Sequence, residues 1–417
     1  MSTLTNGNGT IFDFFLATTS TTDTCADISI CRTRYTIVWS SLVTIIACVW
    51  TAVHRNVPEP KRDSELRFWR IVGGVLEAAK IVMVTVLVPE WVLAWAVRQR
   101  LNALVVKRML GRARNDSQKW RVTHRMAELT ARHGFAVVMG GFQYYKDGEP
   151  QHPLSLEDVD RLVRSGELVP PTDEEIRNWS QSDVLSKTLA VVQTLWFVVQ
   201  AIARRIEGLP ITQLEIMTLA YTTITVAMYV AWWDKPQNVG GPVRVAVKKL
   251  PRPDGVWNAV WYMRIFFVIA GWQDLFVDLR KERRVPTFYG GGISYDNTFR
   301  ADVVALCAAM VFGAVHCAAW HYAFPSHAEK LIWRVSSAAI VALPAVMLVP
   351  VLVLLWWYSK ISYSVHRVVF PVMFCICAPL YIAARLFLLA LSFSTLRSLP
   401  PEAYRAVQWT LQIPHFA

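Results

Sequence analysis

The chain has 417 residues, of which 54% are hydrophobic and 18% are charged, and its formal net charge is +12. The length alone would allow two or three soluble domains, but so apolar a composition argues against them and is typical of a membrane protein with soluble loops. The Lys and Arg residues lie mainly beside apolar segments, where they mark the cytoplasmic side of a membrane. We therefore expect the lipid bilayer as a partner and no nucleic acid.

The N-terminal segment contains no apolar stretch long enough to cross a membrane, and we expect residues 1–34 to form an exocytoplasmic tail. Cys25 and Cys31 lie there, whereas the other five cysteines fall in apolar segments. In an oxidising compartment a disulfide between Cys25 and Cys31 is expected, with two free thiols as the alternative. Asn8 begins an Asn-Gly-Thr sequon, which is a candidate glycosylation site on that side of the membrane.

Six later segments are apolar over about the 20 residues that a helix needs to cross a bilayer. They are residues 35–53, 184–203, 212–233, 301–321, 336–357 and 368–391. This pattern predicts an all-α fold, a polytopic bundle of about six transmembrane helices with an exocytoplasmic N-terminus. Seven or eight spans are the alternative, because two shorter apolar segments, 81–97 and 259–276, are equivocal.

Basic residues decide how segment 81–97 lies. They flank it on both sides, and a crossing would put one basic block outside the cytoplasm. We therefore predict a re-entrant or interfacial segment that turns at Pro89, since proline interrupts a helix, with Glu90 at or near the membrane interface. The same argument places segment 259–276 in the plane of the membrane.

The one long polar stretch, residues 101–183, is predicted to be a small helical insert in the cytoplasm. Ser155 with Asp158, and Thr172 with Glu175, each have the spacing of a helix N-terminal cap. The predicted organisation is an exocytoplasmic tail (1–34), a first span with its re-entrant segment (35–100), this insert (101–183) and a transmembrane helical bundle (184–417).

Polar residues at helical spacing follow two successive apolar segments. The first stripe holds Gln193, Gln200 and Arg204, and the second holds Thr218, Thr222, Thr225 and Tyr229. A polar stripe in lipid must face protein or water, and a short loop joins the two segments, so we expect the stripes to face each other. They either hold the two helices together through hydrogen bonds or line a polar path.

Four ionisable residues in apolar sequence are candidates for a functional role: Glu90, Glu215, His316 and Arg385. Glu215 also has a structural interpretation, because it has the position of a capping-box acid at the start of its span. His316 suits a packed histidine, and its spacing to His321 turns the two rings away from each other, so no metal site is expected. Arg385 is near enough to a helix end to extend its charge to the membrane surface.

Distinctive motifs are spread over nearly the whole chain. They are HGFAVVMGGF (133–142), the stretch 182–215, WWDKP (232–236), VPTFYGG (285–291), the stretch 313–337 and IPHF (413–416). In this order they resemble a large uncharacterised family of fungal multi-pass membrane proteins. The resemblance implies a membrane location and a fungal origin, and it supplies no catalytic or binding residue.

We expect a protein of the plasma membrane or an endomembrane. The sequence patterns do not determine its activity or its oligomeric state. The leading hypothesis is a protein that transports or binds a small solute or lipid, with the polar stripes as its path. The alternative is a membrane-embedded enzyme acting on a lipid or isoprenoid substrate, and a receptor or scaffold is the third. The acid–base candidates of the enzyme would be Glu90, Arg204, Glu215 and His316. No nucleotide-binding, hydrolase or metallopeptidase motif is present, so no cofactor is expected.

Overall fold

Eleven α-helices make up most of the described part of the chain. A computed structural model describes residues 31–60, 67–116, 128–180, 184–247, 268, 271–292, 295–357 and 363–407. The helices are α1 (Arg34–Ala52), α2 (Arg67–Leu87), α3 (Pro89–Asp116), α4 (Ala131–Val138), α5 (Leu156–Ser165), α6 (Asp173–Asn178), α7 (Val184–Ile206), α8 (Gln213–Ala231), α9 (Tyr295–Cys317), α10 (His327–Trp357) and α11 (Tyr363–Ser394). The strands are β1 (Phe142–Lys146), β2 (Glu149–Pro153) and β3 (Val243–Ala246).

Six of these helices, α1 and α7 to α11, are long and apolar enough to cross a membrane. They coincide with the six predicted segments, so the all-α, polytopic fold class is confirmed, and the helices fit an integral membrane protein. Helix α10 begins at His327, before the predicted apolar segment, because hydropathy does not detect a polar first turn. Ser326 caps this turn: its hydroxyl accepts from the Glu329 amide at 3.2 Å. The other equivocal segment, 259–276, lies largely outside the described residues.

Helices α2 and α3 form a broken pair that bends by 109° between Leu87 and Pro89, where the turn is predicted. Pro89 starts α3, a position at which its missing N–H costs no helix hydrogen bond. Both helices of the pair contact the segment 271–292. On α2, Glu77 accepts from Arg284 at 2.5 Å, and on α3, the Trp95 indole donates to the Tyr289 carbonyl at 2.9 Å. A pair bent in this way is either a re-entrant loop, as the sequence predicts, or one broken span that makes a seventh crossing. We call it the re-entrant pair.

The insert packs on α3 and contains a small sheet as well as helices. Strands β1 and β2 form an antiparallel hairpin, whose turn places Asp147 and Gly148 at positive φ, and β3 pairs parallel to β1. Only helices are expected here from the sequence. The strands escape detection because they are short and because β3 comes after α8 in the chain. The two predicted caps are confirmed: Ser155 caps α5, and Thr172 begins α6 with a capping box.

Helix α8 is the centre of the bundle. It packs against α1, α3, α9 and α11, and 67% of its span is buried, the highest share of the six. Helix α1 lies between α8 and α7, whereas α7 has few contacts with α8. Helices α9, α10 and α11 pack in sequence on the other side. A helix enclosed in this way shows little amphipathic pattern, because protein surrounds it.

Helices α3 and α4 approach each other closely at Gly134 of α4. A Cβ atom added there would lie 1.9 Å from the carbonyl oxygen of Ala103 on α3. We expect Gly134→Ala to lower the stability of the protein by roughly 1–3 kcal/mol, since the two backbones must separate. The measurement is the midpoint of thermal unfolding in detergent.

The matched control is Gly111→Ala on α3, where an added Cβ meets no atom within 4 Å. Alanine is preferred to glycine in a helix by about 0.5–1 kcal/mol, so this variant should keep or slightly raise the midpoint. Equal midpoints for the two variants would contradict the close approach.

Candidate functional site

A cavity of about 680 Å³ lies between the re-entrant pair, helices α9 to α11 and the segment 271–292. Most of its wall is apolar. The wall includes Val84, Trp91, Phe288, Leu343, Met347 and Ile382. Pockets of 300–1,000 Å³ with apolar walls and a few polar groups are typical of sites for small molecules. This cavity is therefore the candidate functional site, and hydropathy offers no signal for it because several separate elements form its wall.

Five charged residues also line the cavity, and they are Lys80, Glu90, Glu282, Arg284 and Asp302. Lys80 and Glu282 are exposed, and Arg284 bonds to Glu77. Asp302 is half-buried on the second turn of α9. One of its carboxylate oxygens accepts from the Trp272 indole at 3.3 Å. No ion pair involves Asp302 in the part of the chain that the structure describes.

Glu90 forms an ion pair with Arg385, at 3.1 Å between the carboxylate and the guanidinium. Arg385 is 5% exposed and also contacts the hydroxyls of Tyr381 at 3.2 Å and Tyr221 at 3.3 Å. Its guanidinium lies 4.1 Å from the centre of the Phe312 ring. The Arg385 side chain therefore does not extend away from the bundle, as its place near a helix end suggests. It lies inside, paired with Glu90, because each charge neutralises the other. The expectation that Glu90 lies at the membrane interface stays a prediction.

The same cluster satisfies the backbone at the break between α2 and α3. A helix that ends leaves its last carbonyls without N–H partners, and in lipid each must find another donor. The Val86 carbonyl accepts from the Tyr221 hydroxyl and, at 3.4 Å, from Arg385. The tip of the re-entrant pair is therefore attached to α8 and α11 through charge and backbone together.

His316 lies next to this cluster as a buried side chain. Its Nδ1 donates to the Phe312 carbonyl at 2.8 Å, and its ring lies 6.0 Å from that of Trp333. This is the packed histidine that the sequence suggests. Across the described residues, no group of three or more His, Cys, Asp and Glu side chains could hold a metal ion.

The two polar stripes do not face each other. Gln193 of α7 donates to Thr44 of α1 at 3.2 Å, so its stripe contacts α1. On α8, Thr218, Thr222 and Thr225 each donate to a carbonyl about one turn earlier in their own helix. Gln200 and Tyr229 are half-buried. The expected facing pair fails because α1, distant in sequence, lies between the two helices.

Arg204 and Glu215 belong to a separate junction at the opposite end of the bundle from the insert. The Arg204 guanidinium donates to the carbonyls of Pro210 and Arg405, each at 2.7 Å. Glu215 completes the predicted capping box of α8 and forms an ion pair with Arg32. Arg204 and Glu215 are thus held in structural contacts. They join the N-terminal segment, the loop between α7 and α8 and the C-terminal segment.

The candidate sites in the N-terminal tail are only partly described. Cys31 is disulfide-bonded. Its predicted partner Cys25 lies outside the described residues, as does the sequon at Asn8.

A second junction, on the insert side, surrounds Lys235, which the sequence analysis does not single out. Its amine donates to the His54 carbonyl, to Gln99 at 2.8 Å and to Asn56 at 3.2 Å. The amine also lies 4.8 Å from the centre of the Trp95 ring, and burial lowers the pKa of Lys235 well below its usual value. The sequence signal for this junction is a lysine directly after Trp-Trp-Asp, since the faces of aromatic rings attract cations.

The ion pair of Glu90 and Arg385 predicts a non-additive response to substitution. Arg385→Met should cost about 3–5 kcal/mol of stability, since Glu90 keeps a buried charge without a partner. The double variant Glu90→Gln with Arg385→Met removes both charges and should be more stable than Arg385→Met alone. Thermal unfolding midpoints of the three proteins in detergent test this, and a double variant less stable than Arg385→Met would contradict it.

A protein-family profile matches the N-terminal part of the chain. The profile of DUF8562, a family of unknown function, matches residues 10–271. No curated protein and no solved structure matches the chain. The matched range includes the re-entrant pair, the insert and α8, and it ends before α9 to α11, which complete the wall of the cavity.

Proposed function

Since the chain belongs to the DUF8562 family, whose function is unknown, we propose a function from its cavity: the protein binds or transports a lipid or another amphipathic small solute. The observation that carries this proposal is a cavity of about 680 Å³ with a largely apolar wall and a few ionisable groups. Apolar surface favours the apolar part of a ligand by roughly 25 cal/mol for each Å² removed from water. The ionisable groups then fix the orientation of its polar part.

The cavity replaces the two polar stripes as the proposed path. Pro344 of α10 lies on its wall, within a helix that also contains Pro350. A proline inside a helix removes a backbone hydrogen bond and favours a kink, which transporters use beside their binding sites. The proline thus supports a wall that changes shape when a ligand enters.

The enzyme and receptor alternatives receive no comparable support. Of the acid–base candidates, Glu90 is paired with Arg385, whereas Arg204 and Glu215 lie in the junction at the opposite end. The His316 ring packs on that of Phe312 and lines the same small cavity as Arg385. The resemblance to fungal membrane proteins remains the basis for proposing a fungal origin.

We expect substitution of Ala378 by tryptophan to block the cavity. Ala378 lies on the cavity wall, on α11, so the large ring of Ala378→Trp should take the space of a ligand. Binding of a radiolabelled fatty alcohol to the protein in lipid nanodiscs should fall at least about tenfold, the loss of roughly two buried CH₂ groups.

The matched control is Ile376→Trp, two residues earlier on α11, where the side chain is 57% exposed on the outside of the bundle. This variant should bind the alcohol as the unsubstituted protein does. Equal binding by the two variants would rule out the cavity as the site.

The proposed orientation places the N-terminus on the exocytoplasmic side and the insert in the cytoplasm. Expressed in a eukaryotic host, the protein should carry a glycan on Asn8 and none on Asn115 or Asn178, which begin sequons in the insert region. Glycosidase treatment should increase the gel mobility of the unsubstituted protein and leave Asn8→Gln unchanged. A glycan on Asn115 or Asn178 would reverse the orientation.

A further inference from the structure

The charged groups of the cavity wall are paired unevenly. Two cations, Lys80 and Arg284, and three carboxylates, of Glu90, Glu282 and Asp302, line the cavity. Glu90 pairs with Arg385, and Arg284 pairs with Glu77. Lys80 and Glu282 are exposed to solvent. Asp302 is half-buried and has no ion pair among the described residues, although the charge of Arg98 acts on it.

Asp302 differs from the other two carboxylates of the lining. Glu90 has Arg385 at 3.1 Å, and Glu282 is exposed to solvent. Asp302 has a single hydrogen bond, from the Trp272 indole, and no ion pair among the described residues. A carboxylate away from water favours a cationic partner strongly, because charges interact more strongly where the dielectric constant is low.

The surroundings decide what kind of cation fits. Ca²⁺ or Mg²⁺ needs about six oxygen ligands, and a single carboxylate beside an apolar wall does not supply them. Aromatic side chains, by contrast, attract organic ammonium groups through their ring faces. Trp91, Phe288, Phe374 and Tyr381 all line this cavity.

We propose that the ligand of this cavity is an amphipathic organic cation, such as a long-chain alkylammonium, whose charged group binds Asp302. The proposal rests on the proposed function, since it names the class of molecule that enters the same cavity. The apolar chain of the ligand lies along α10 and α11, and the Asp302 carboxylate disfavours an anionic group beside it.

The experiment compares three probes of equal chain length in nanodiscs of phosphatidylcholine: dodecyltrimethylammonium, dodecanol and dodecanoate. After subtraction of binding to empty nanodiscs, the cation should bind at least about tenfold more tightly than the alcohol, and the anion most weakly. Asp302→Asn should remove the preference for the cation over the alcohol, whereas Asp302→Glu should keep the preference. The control Asp296→Asn changes an exposed carboxylate on the same helix, paired with Arg300, and should have no effect.

The outcomes separate this inference from the proposed function. If all three probes bind equally and Ala378→Trp blocks them all, the cavity binds amphiphiles and the assignment of a cation is wrong. If Asp302→Asn retains the preference for the cation, the assignment is also wrong. If no probe binds in a manner that Ala378→Trp reduces, the proposed function itself fails. An unchanged thermal unfolding midpoint of Asp302→Asn in detergent shows that this variant folds.

Discussion

A carboxylate inside a membrane-embedded bundle needs a partner, and Glu90 has Arg385. Charges buried in pairs are tolerated, whereas one left alone costs several kcal/mol. Here the pair also holds a break in the backbone, since Arg385 and Tyr221 donate to the Val86 carbonyl just before Pro89. The re-entrant pair can turn inside the bundle because these contacts satisfy its tip. Its two arms form one side of the cavity, so the proposed site depends on this cluster.

A second set of contacts anchors α3, the second helix of the re-entrant pair, away from the bend. Gln99 of α3 accepts from Lys235 and from the Trp232 indole, and donates to the Tyr289 carbonyl. Nearby, the Val57 amide donates to the Met139 carbonyl at 3.0 Å. Three of the motifs that carry the resemblance, HGFAVVMGGF, WWDKP and VPTFYGG, therefore meet at one polar junction. Their shared role in the structure is to join the insert to the bundle, and they lie outside the cavity except where VPTFYGG reaches its wall.

Local signals account for what could be predicted from the sequence. Hydropathy identified the six spans, since a bilayer requires length and apolarity within each helix. The proline itself located the turn at Pro89, since proline interrupts a helix. Caps such as that of Thr212 depend on residues three apart, so they too were visible. Glu90 and Arg385 lie 295 residues apart, and nothing in either local sequence indicates their contact. For the same reason, the sequence does not show that α1 lies between α7 and α8. It also does not show the cavity, because distant segments form its wall.

The parallel pairing of β3 with β1 also bears on how the protein is made. Phe142 of β1 lies opposite Val243 of β3, and helices α7 and α8 lie between the two strands in the chain. During synthesis, β1 leaves the ribosome long before its neighbour exists. The insert therefore completes its sheet only after two apolar helices have entered the membrane. Until then its unpaired strand edge is open to other chains, so factors that shield nascent chains have a specific period in which to act on this protein.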